Sequence, residues 1–401
     1  MRVSPLHRTV GGLGLATIVS YGGWYYSFGV LVRPIADDTG WTVAELGAAY
    51  AIGHLLVGGG SALGGRLLDR RGGRTTFGFG AVLGGGMLGA AAVAPTVLMF
   101  GICFAVAAAV VGATSSYHIT MAAARRLRPD RPAKAIGPLT IYGALASPIF
   151  LPLTAVLVEA FGWRVALGAL ALTTASGLGI AAVLAPDGRA ADASPEAAPV
   201  RLSTAIRRAW ADPDARLLTL MFLGYGFGSG LILTYQVPIM VDFGLPLATA
   251  SLVAGGRGFM QLTGRVGLDR IVTRFGVRRP LAVAAGLATL SCALLVGSGT
   301  LVVAVAFAAI AGASMGSNSP LAGIHASGIL PERDLAALMG AVHAAGAAAS
   351  AAGPLIGGVV RTATGSYVIA IALAAAGFAL AGVAVLRTTA SAGVGRDLTI
   401  P

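Results

Sequence analysis

Charge is scarce in this chain of 401 residues. Only 11% of positions are Asp, Glu, Lys or Arg, where soluble domains carry about 25%. Lysine occurs once, at Lys134, and cysteine twice, at Cys103 and Cys292. Both cysteines fall in apolar runs, which excludes a disulfide framework and reads as packing. No HExxH, no Walker loop and no Gly-x-Ser-x-Gly with plausible partners is present. Metal, nucleotide and nucleophile chemistry are thereby excluded, so the sequence indicates neither an enzyme nor a protein with a cofactor or metal. The carboxylates are also missing from the deep parts of the apolar runs.

What is present is apolar. Hydrophobic residues make up 56% of the chain and the mean hydropathy is +0.81, the composition of an integral membrane protein. Fifty-nine glycines fit that class, because small residues let membrane helices approach closely. The net charge of +12 does not point to nucleic acid, since the basic residues sit in short loops between apolar runs.

Twelve runs are long enough to span a bilayer, at roughly 20 residues each: 10–33, 45–67, 75–94, 96–124, 135–160, 163–185, 216–240, 246–271, 279–298, 300–327, 335–361 and 366–387. The first reads as a membrane helix rather than a removable signal peptide. A polar segment at 186–214 divides them, giving an N-terminal six-helix bundle at 1–185, a cytoplasmic linker, a C-terminal bundle at 215–388 and a tail at 389–401. The expected fold is an all-α membrane protein of two six-helix bundles. Alternate loops carry Arg70, Arg71 and Arg74, then Arg125, Arg126, Arg128, Arg131 and Lys134, then Arg207 and Arg208, then Arg270, Arg274, Arg278 and Arg279. The positive-inside rule puts those loops and both termini in the cytoplasm, in a multi-pass protein of the cytoplasmic membrane.

The loop after the second run reads Gly65-Arg66-Leu67-Leu68-Asp69-Arg70-Arg71-Gly72-Gly73-Arg74, and Gly264-Arg265-Val266-Gly267-Leu268-Asp269-Arg270 lies at the equivalent place in the second half. The first of these resembles the loop motif of the major facilitator superfamily, at its expected place between the second and third of twelve helices. The resemblance implies two bundles rocking about a central cavity. Asp69 can accept charge-assisted hydrogen bonds from Arg70, Arg74 or a neighbouring helix end, so Gly65, Asp69, Arg70 and Arg74 form an expected conformational latch.

A narrower resemblance, over most of the chain, is to monocarboxylate transporters and their bacterial relatives, including oxalate:formate exchangers. It rests on Tyr25-Tyr26-Ser27-Phe28-Gly29-Val30 with Arg33-Pro34-Ile35 and Gly40-Trp41, and on Leu139-Thr140 through Ser147-Pro148-Ile149-Phe150 to Gly162-Trp163-Arg164. It rests also on Gly264-Arg265 ahead of Arg274-Phe275-Gly276, which resembles the eighth-helix arginine that grips the substrate carboxylate. The departures are specific. Thr273 stands at the family's loop Asp, Gln261 where mammalian-type members have Asp, and Tyr26 where they have a lysine. Proton coupling through that Lys/Asp pair does not carry over.

Arg257, Gln261 and Arg265 are spaced four apart, which places them on one stripe if the run from 246 to 271 is a single helix. A guanidinium is a planar fork matched to a carboxylate, and an amide between two of them adds hydrogen bonds. Family register favours Arg265 as the substrate arginine, whereas depth favours Arg257. In cavity-lining helices the polar candidates are Tyr26, Tyr117, Tyr235 and Asn318, with Tyr25, Gln236 and Ser317 beside them. His118 and His325, in corresponding helices of the two halves, are the candidates for a coupled proton. The resulting expectation is a monomeric secondary transporter of a small organic anion, a monocarboxylate by the resemblance, with or without protons. Its partners are that anion and the lipid bilayer. The alternative is a proton-driven multidrug or metabolite exporter of the same superfamily.

Overall fold

The computed structural model describes residues 5–127, 132–185, 207, 210–330 and 335–389, and among them every regular element is helical. Eight helical stretches are long and apolar enough to cross a membrane. Two of these, Val43–Ala92 and Pro138–Leu184, are of double length and cross twice. The first span is divided into Pro5–Ser20, a π-turn at Tyr21–Tyr26 and Ser27–Thr39. The eighth is short, Leu247–Met260. Together these make twelve membrane helices.

Local chemistry sets the ends. Thr42 and Glu45 form a capping box at the start of the second span, with Thr42 N–H donating to Glu45 Oε2 at 2.8 Å. Asp212 caps the seventh span through Ala215 N–H at 2.8 Å, with Pro213 in the first turn, so this span starts at Pro213, inside the segment expected to be linker. Most of that expected linker, the tail from 390 and the loop residues Arg128, Arg131, Arg208 and Glu332 lie outside the described residues.

Between paired spans the helix breaks at a single glycine. Gly72 (φ 76°, ψ 178°) and Gly162 (φ 79°, ψ 166°) make these breaks. That region of backbone space is essentially closed to any residue with a β-carbon. Gly162 thereby delivers Trp163 and Arg164 to Asp38 at the end of the first span. Trp163 Nε1 donates to Asp38 Oδ2 at 2.8 Å, Arg164 Nη1 lies 3.5 Å from the same oxygen, and the Arg164 guanidinium sits 4.2 Å over the Trp163 ring.

The chain divides into two compact units. The first holds the six spans before the linker and takes in residues 246–255 and 361–363; the second holds the remainder. Each has its own apolar core. Phe28, Phe77, Phe100 and Phe104 are fully buried in the first, Phe307 and Phe378 in the second. Cys103 and Cys292 are both buried and unbridged.

The eighth span departs most from expectation. It leaves the α-helix at Met260, passes through a 3-10 turn at Thr263–Arg265 and resumes as a separate eight-residue helix, Leu268–Phe275. The apolar run through 271 is therefore not one helix, and the proposed stripe of Arg257, Gln261 and Arg265 does not exist as a single helical face. The bonds change accordingly: Gln261 N–H reaches Gly258 O and Arg265 N–H reaches Leu262 O, both i−3.

Candidate functional site

In the second unit the site is built around Arg257. Its side chain has no exposed surface, the largest fully buried side chain in the described structure. Nε donates to Gln236 Oε1 at 2.9 Å and Nη1 lies 3.4 Å from Met315 Sδ. Gln236, itself 1% exposed, comes from the seventh span and donates its Nε2 to Leu233 O. The tenth span packs directly on the arginine's backbone, with Gly312 facing Arg257 O so closely that no side chain fits. Further along that span, Asn318 shares a helical face with Ser314 and Met315 and is half-buried. Tyr225 completes the neighbourhood, its hydroxyl 3.5 Å from Ser314 Oγ.

The partners of Arg257 named here are an amide oxygen and a thioether. Both are uncharged, and they orient the guanidinium. Among the described residues the acids Asp37, Asp38, Glu45, Asp69, Glu159, Asp212, Asp214, Asp242 and Asp269 fall at turns or near the ends of helices. A positive charge wholly buried in the last turn of the eighth helix favours an anion, and the planar fork favours a carboxylate.

Tyr235, a candidate from the sequence, packs toward the eleventh and twelfth spans, and its neighbour Gln236 meets Arg257. The Tyr235 hydroxyl donates to Pro354 O at 2.6 Å and its ring packs 5.3 Å from Tyr367. Successive helical residues point about 100° apart, so when Tyr235 faces the eleventh span, Gln236 faces Arg257. Arg265 is exposed in the 3-10 turn, while Gln261 is half-buried with its carbonyl against Gly316. His325 is buried elsewhere: its Nε2 is 3.0 Å from Thr388 Oγ1, at the end of the last span, where Arg278 also donates to Thr388 O. Met315 and Tyr225 were not among the candidates read from the sequence; a methionine in an apolar run reads as packing.

The first unit gathers aromatic rings. The π-turn Tyr21–Tyr26 inserts an extra residue per turn, which brings Tyr21, Tyr25 and Tyr26 into mutual contact at centroid distances of 5.0–6.4 Å. Tyr117 joins them, 5.2 Å from Tyr21, with its hydroxyl 3.4 Å from Thr140 O. It can do so because the fourth span breaks at Ser116, which is extended (φ −65°, ψ 169°), and restarts at Tyr117. Sequence reasoning singled out Tyr26 and Tyr117 but missed Tyr21 as the ring between them. Trp24, Tyr50 and His54 extend the cluster. His118 is exposed, with its ring nitrogens 3.1 and 3.2 Å from Ser116 Oγ. Among the described residues no cluster of His, Cys, Asp or Glu is arranged to hold a metal.

In the loop motif Asp69 pairs with Arg126, from the end of the fourth span, and Arg126 Nη1 also donates to Leu68 O at 3.2 Å. Arg70 and Arg74 are exposed. Gly65 has open space where a side chain would go, whereas Gly64 lies against Ala113 O. The second half repeats this contact with Gly264 against Ala313 O. Each partner lies 200 positions after its counterpart (264 against 64, 313 against 113), which fixes the register of the repeat. At that register Asp269 matches Asp69 and Arg265 matches Gly65, so Arg265 belongs to the loop motif. Arg257 matches Val57. His118 matches Asn318 and His325 matches Arg125, so the two histidines are not equivalent.

The repeat of two six-helix halves with this loop motif is matched by the family model of the Major Facilitator Superfamily, over residues 13–240 and 217–397. The chain belongs to the Major Facilitator Superfamily. It is a transporter and a multi-pass membrane protein. No curated protein sequence matches it. Among solved structures it is similar to the nucleoside transporter NupG (TM-score 0.77, 12% identity, covering 96% of this chain and 100% of that one). It is similar also to a bacterial homologue of the human lysosomal transporter Spinster, in an inward-facing, unoccupied conformation (0.72, 15%, 98% and 100%). A third is a POT family transporter in complex with 5-aminolevulinic acid (0.71, 16%, 95% and 96%). At these identities the likeness is one of fold.

Proposed function

We propose that this member of the superfamily carries a small organic anion, a monocarboxylate, across the cytoplasmic membrane by alternating access, through proton symport or anion exchange. One observation supports the reading above the others: Arg257, wholly buried within a span and held by Gln236. Removing a guanidinium from water in this way costs on the order of several kcal/mol unless it is paired. A carboxylate docking on its fork offsets part of that cost, so the loaded carrier closes more readily than the empty one. Gln236 fixes the guanidinium before the substrate arrives, and Asn318, on the face that carries Met315, supplies a further amide. In the first half the same reading keeps Tyr26 and Tyr117 as substrate-contacting aromatics, each presenting a ring and one hydroxyl. A structure of similar fold in complex with 5-aminolevulinic acid, itself a carboxylic acid, supports the reading.

The test is saturable uptake of short monocarboxylates by the full chain reconstituted in vesicles. Breaking a buried charge-assisted pair costs about 2–5 kcal/mol, or roughly thirtyfold and upward. Arg257→Gln is therefore expected to reduce kcat/KM by at least about thirtyfold, and Arg257→Lys, which keeps charge but loses the fork, by an intermediate amount. Arg265→Gln should stay within about threefold of native, by the same scale for exposed charges. Native uptake by the Arg257→Gln protein would refute the proposal.

A further inference from the structure

The broken end of the eighth span leaves an apolar cavity of about 460 Å³ within the second unit. It is walled by Val266, Ile271, Phe275, Val283 and Leu287, and Arg279 stands in its lining. Such a volume lies within the range of small-ligand sites. The wall is open to the surroundings, with Val266 77% and Val283 60% exposed.

The short helix Leu268–Phe275 explains the shape. Leu268, Ile271, Val272 and Phe275 fall at i, i+3, i+4 and i+7, one apolar face, while Asp269, Arg270, Thr273 and Arg274 take the other. None of its residues is buried. Such a helix lies along an interface rather than crossing it. Charge surrounds the same place: residues 265–279 contain five arginines, at 265, 270, 274, 278 and 279, against the single acid Asp269. Arg278 is engaged with Thr388 O and Arg274 lies over the Phe275 ring; of the five, Arg279 is the one that lines the cavity. Arg279 is also in the first turn of the ninth span, whose N-terminus has no side-chain cap, and the positive end of the helix dipole there favours an anion.

An apolar chamber, an arginine at its lining and an amphipathic helix at its side fit one occupant. We propose that this cavity is a site for an anionic phospholipid, with an acyl chain in the chamber and the phosphate on Arg279 and the start of the ninth span. Basic pockets between membrane helices on this side of a bilayer suit anionic headgroups, at about 1 kcal/mol per arginine. The site is separate from Arg257 and independent of which substrate is carried.

Titration of the detergent-purified full chain with phosphatidylglycerol or phosphatidylcholine, followed by native mass spectrometry, tests it. The tightest-bound lipid is expected to be phosphatidylglycerol, preferred about fivefold, the factor that ~1 kcal/mol gives. Arg279→Gln should abolish the preference while keeping lipid binding, and Val283→Trp, which fills the chamber, should weaken both lipids at least about fivefold by the same conversion. The two variants probe different parts of the site, so either alone decides. Equal binding of both lipids by the native chain, a native preference in the Arg279→Gln protein, or native affinity in the Val283→Trp protein overturns the proposal. Glycerol phosphate binding as tightly as the lipid would overturn the acyl chamber.

Discussion

Gly64 and Gly65 are adjacent, yet only one of them is required. A methyl group on Gly64 would collide with the carbonyl of Ala113, which belongs to a helix backbone and cannot rotate away, while one on Gly65 meets nothing. Gly64→Ala is expected to destabilise the protein by about 1–3 kcal/mol, the usual cost of overpacking, and Gly65→Ala to leave thermal unfolding unchanged. Equal unfolding temperatures for the two variants would contradict this. The loop motif in the sequence pointed to Gly65, because a motif records residue types and not which of two glycines faces a neighbour. The same limit separates Tyr235 from Gln236. Arg257 was legible for a different reason: a charge in the middle of an apolar run stands out through its cost, whichever way it points. Its companions Met315 and Tyr225 carry no such signal.

Elements were legible where hydropathy changes and hidden where it does not. The twelve runs correspond to twelve helices, but apolar residues continue past Met260, so the end of the eighth helix is invisible to a count of apolar positions. The hint lay in Gly264 and Gly267, whose spacing within five residues weakens a helix. The π-turn at Tyr21–Tyr26 was likewise hidden, since inserting one residue in a turn leaves composition unchanged. The turns at Gly72 and Gly162 depend on backbone alone. Gly162→Ala provides the cleaner test, because a β-carbon there touches nothing and only the positive φ is penalised. The expected loss is about 1–3 kcal/mol, read as a lower denaturation midpoint. It should come with a weakened Trp163–Asp38 contact, visible as a shift in tryptophan fluorescence.

Across the whole molecule the halves share a register but not their chemistry. Gly64 and Gly264 make the same contact, yet Arg257 stands where the first half has Val57, and Ala326 stands where it has Arg126. Charge within the span is thus a property of the second half, and the Asp69–Arg126 pair a property of the first. That pair is partly exposed, so it is expected to contribute no more than about 1 kcal/mol to stability. If it works as one unit in the transport cycle, Asp69→Asn and Arg126→Ala should each slow uptake by a similar factor, and the double variant should be no slower than either. Losses that multiply in the double variant would show that the two residues act separately. The division into halves was legible from the polar segment and the paired loop motifs, whereas their asymmetry became visible only once the two glycine contacts fixed the register.

Cys103 and Cys292 fall one in each half, and both are buried, at 6% and 1% exposure. The native chain therefore presents a thiol-poor surface to bulky maleimides. A cysteine placed on an exposed loop of either unit becomes the one site at which a spin label or fluorophore attaches readily, with both native cysteines left in place. Distances between two such labels could then report the transport cycle in the unmodified core.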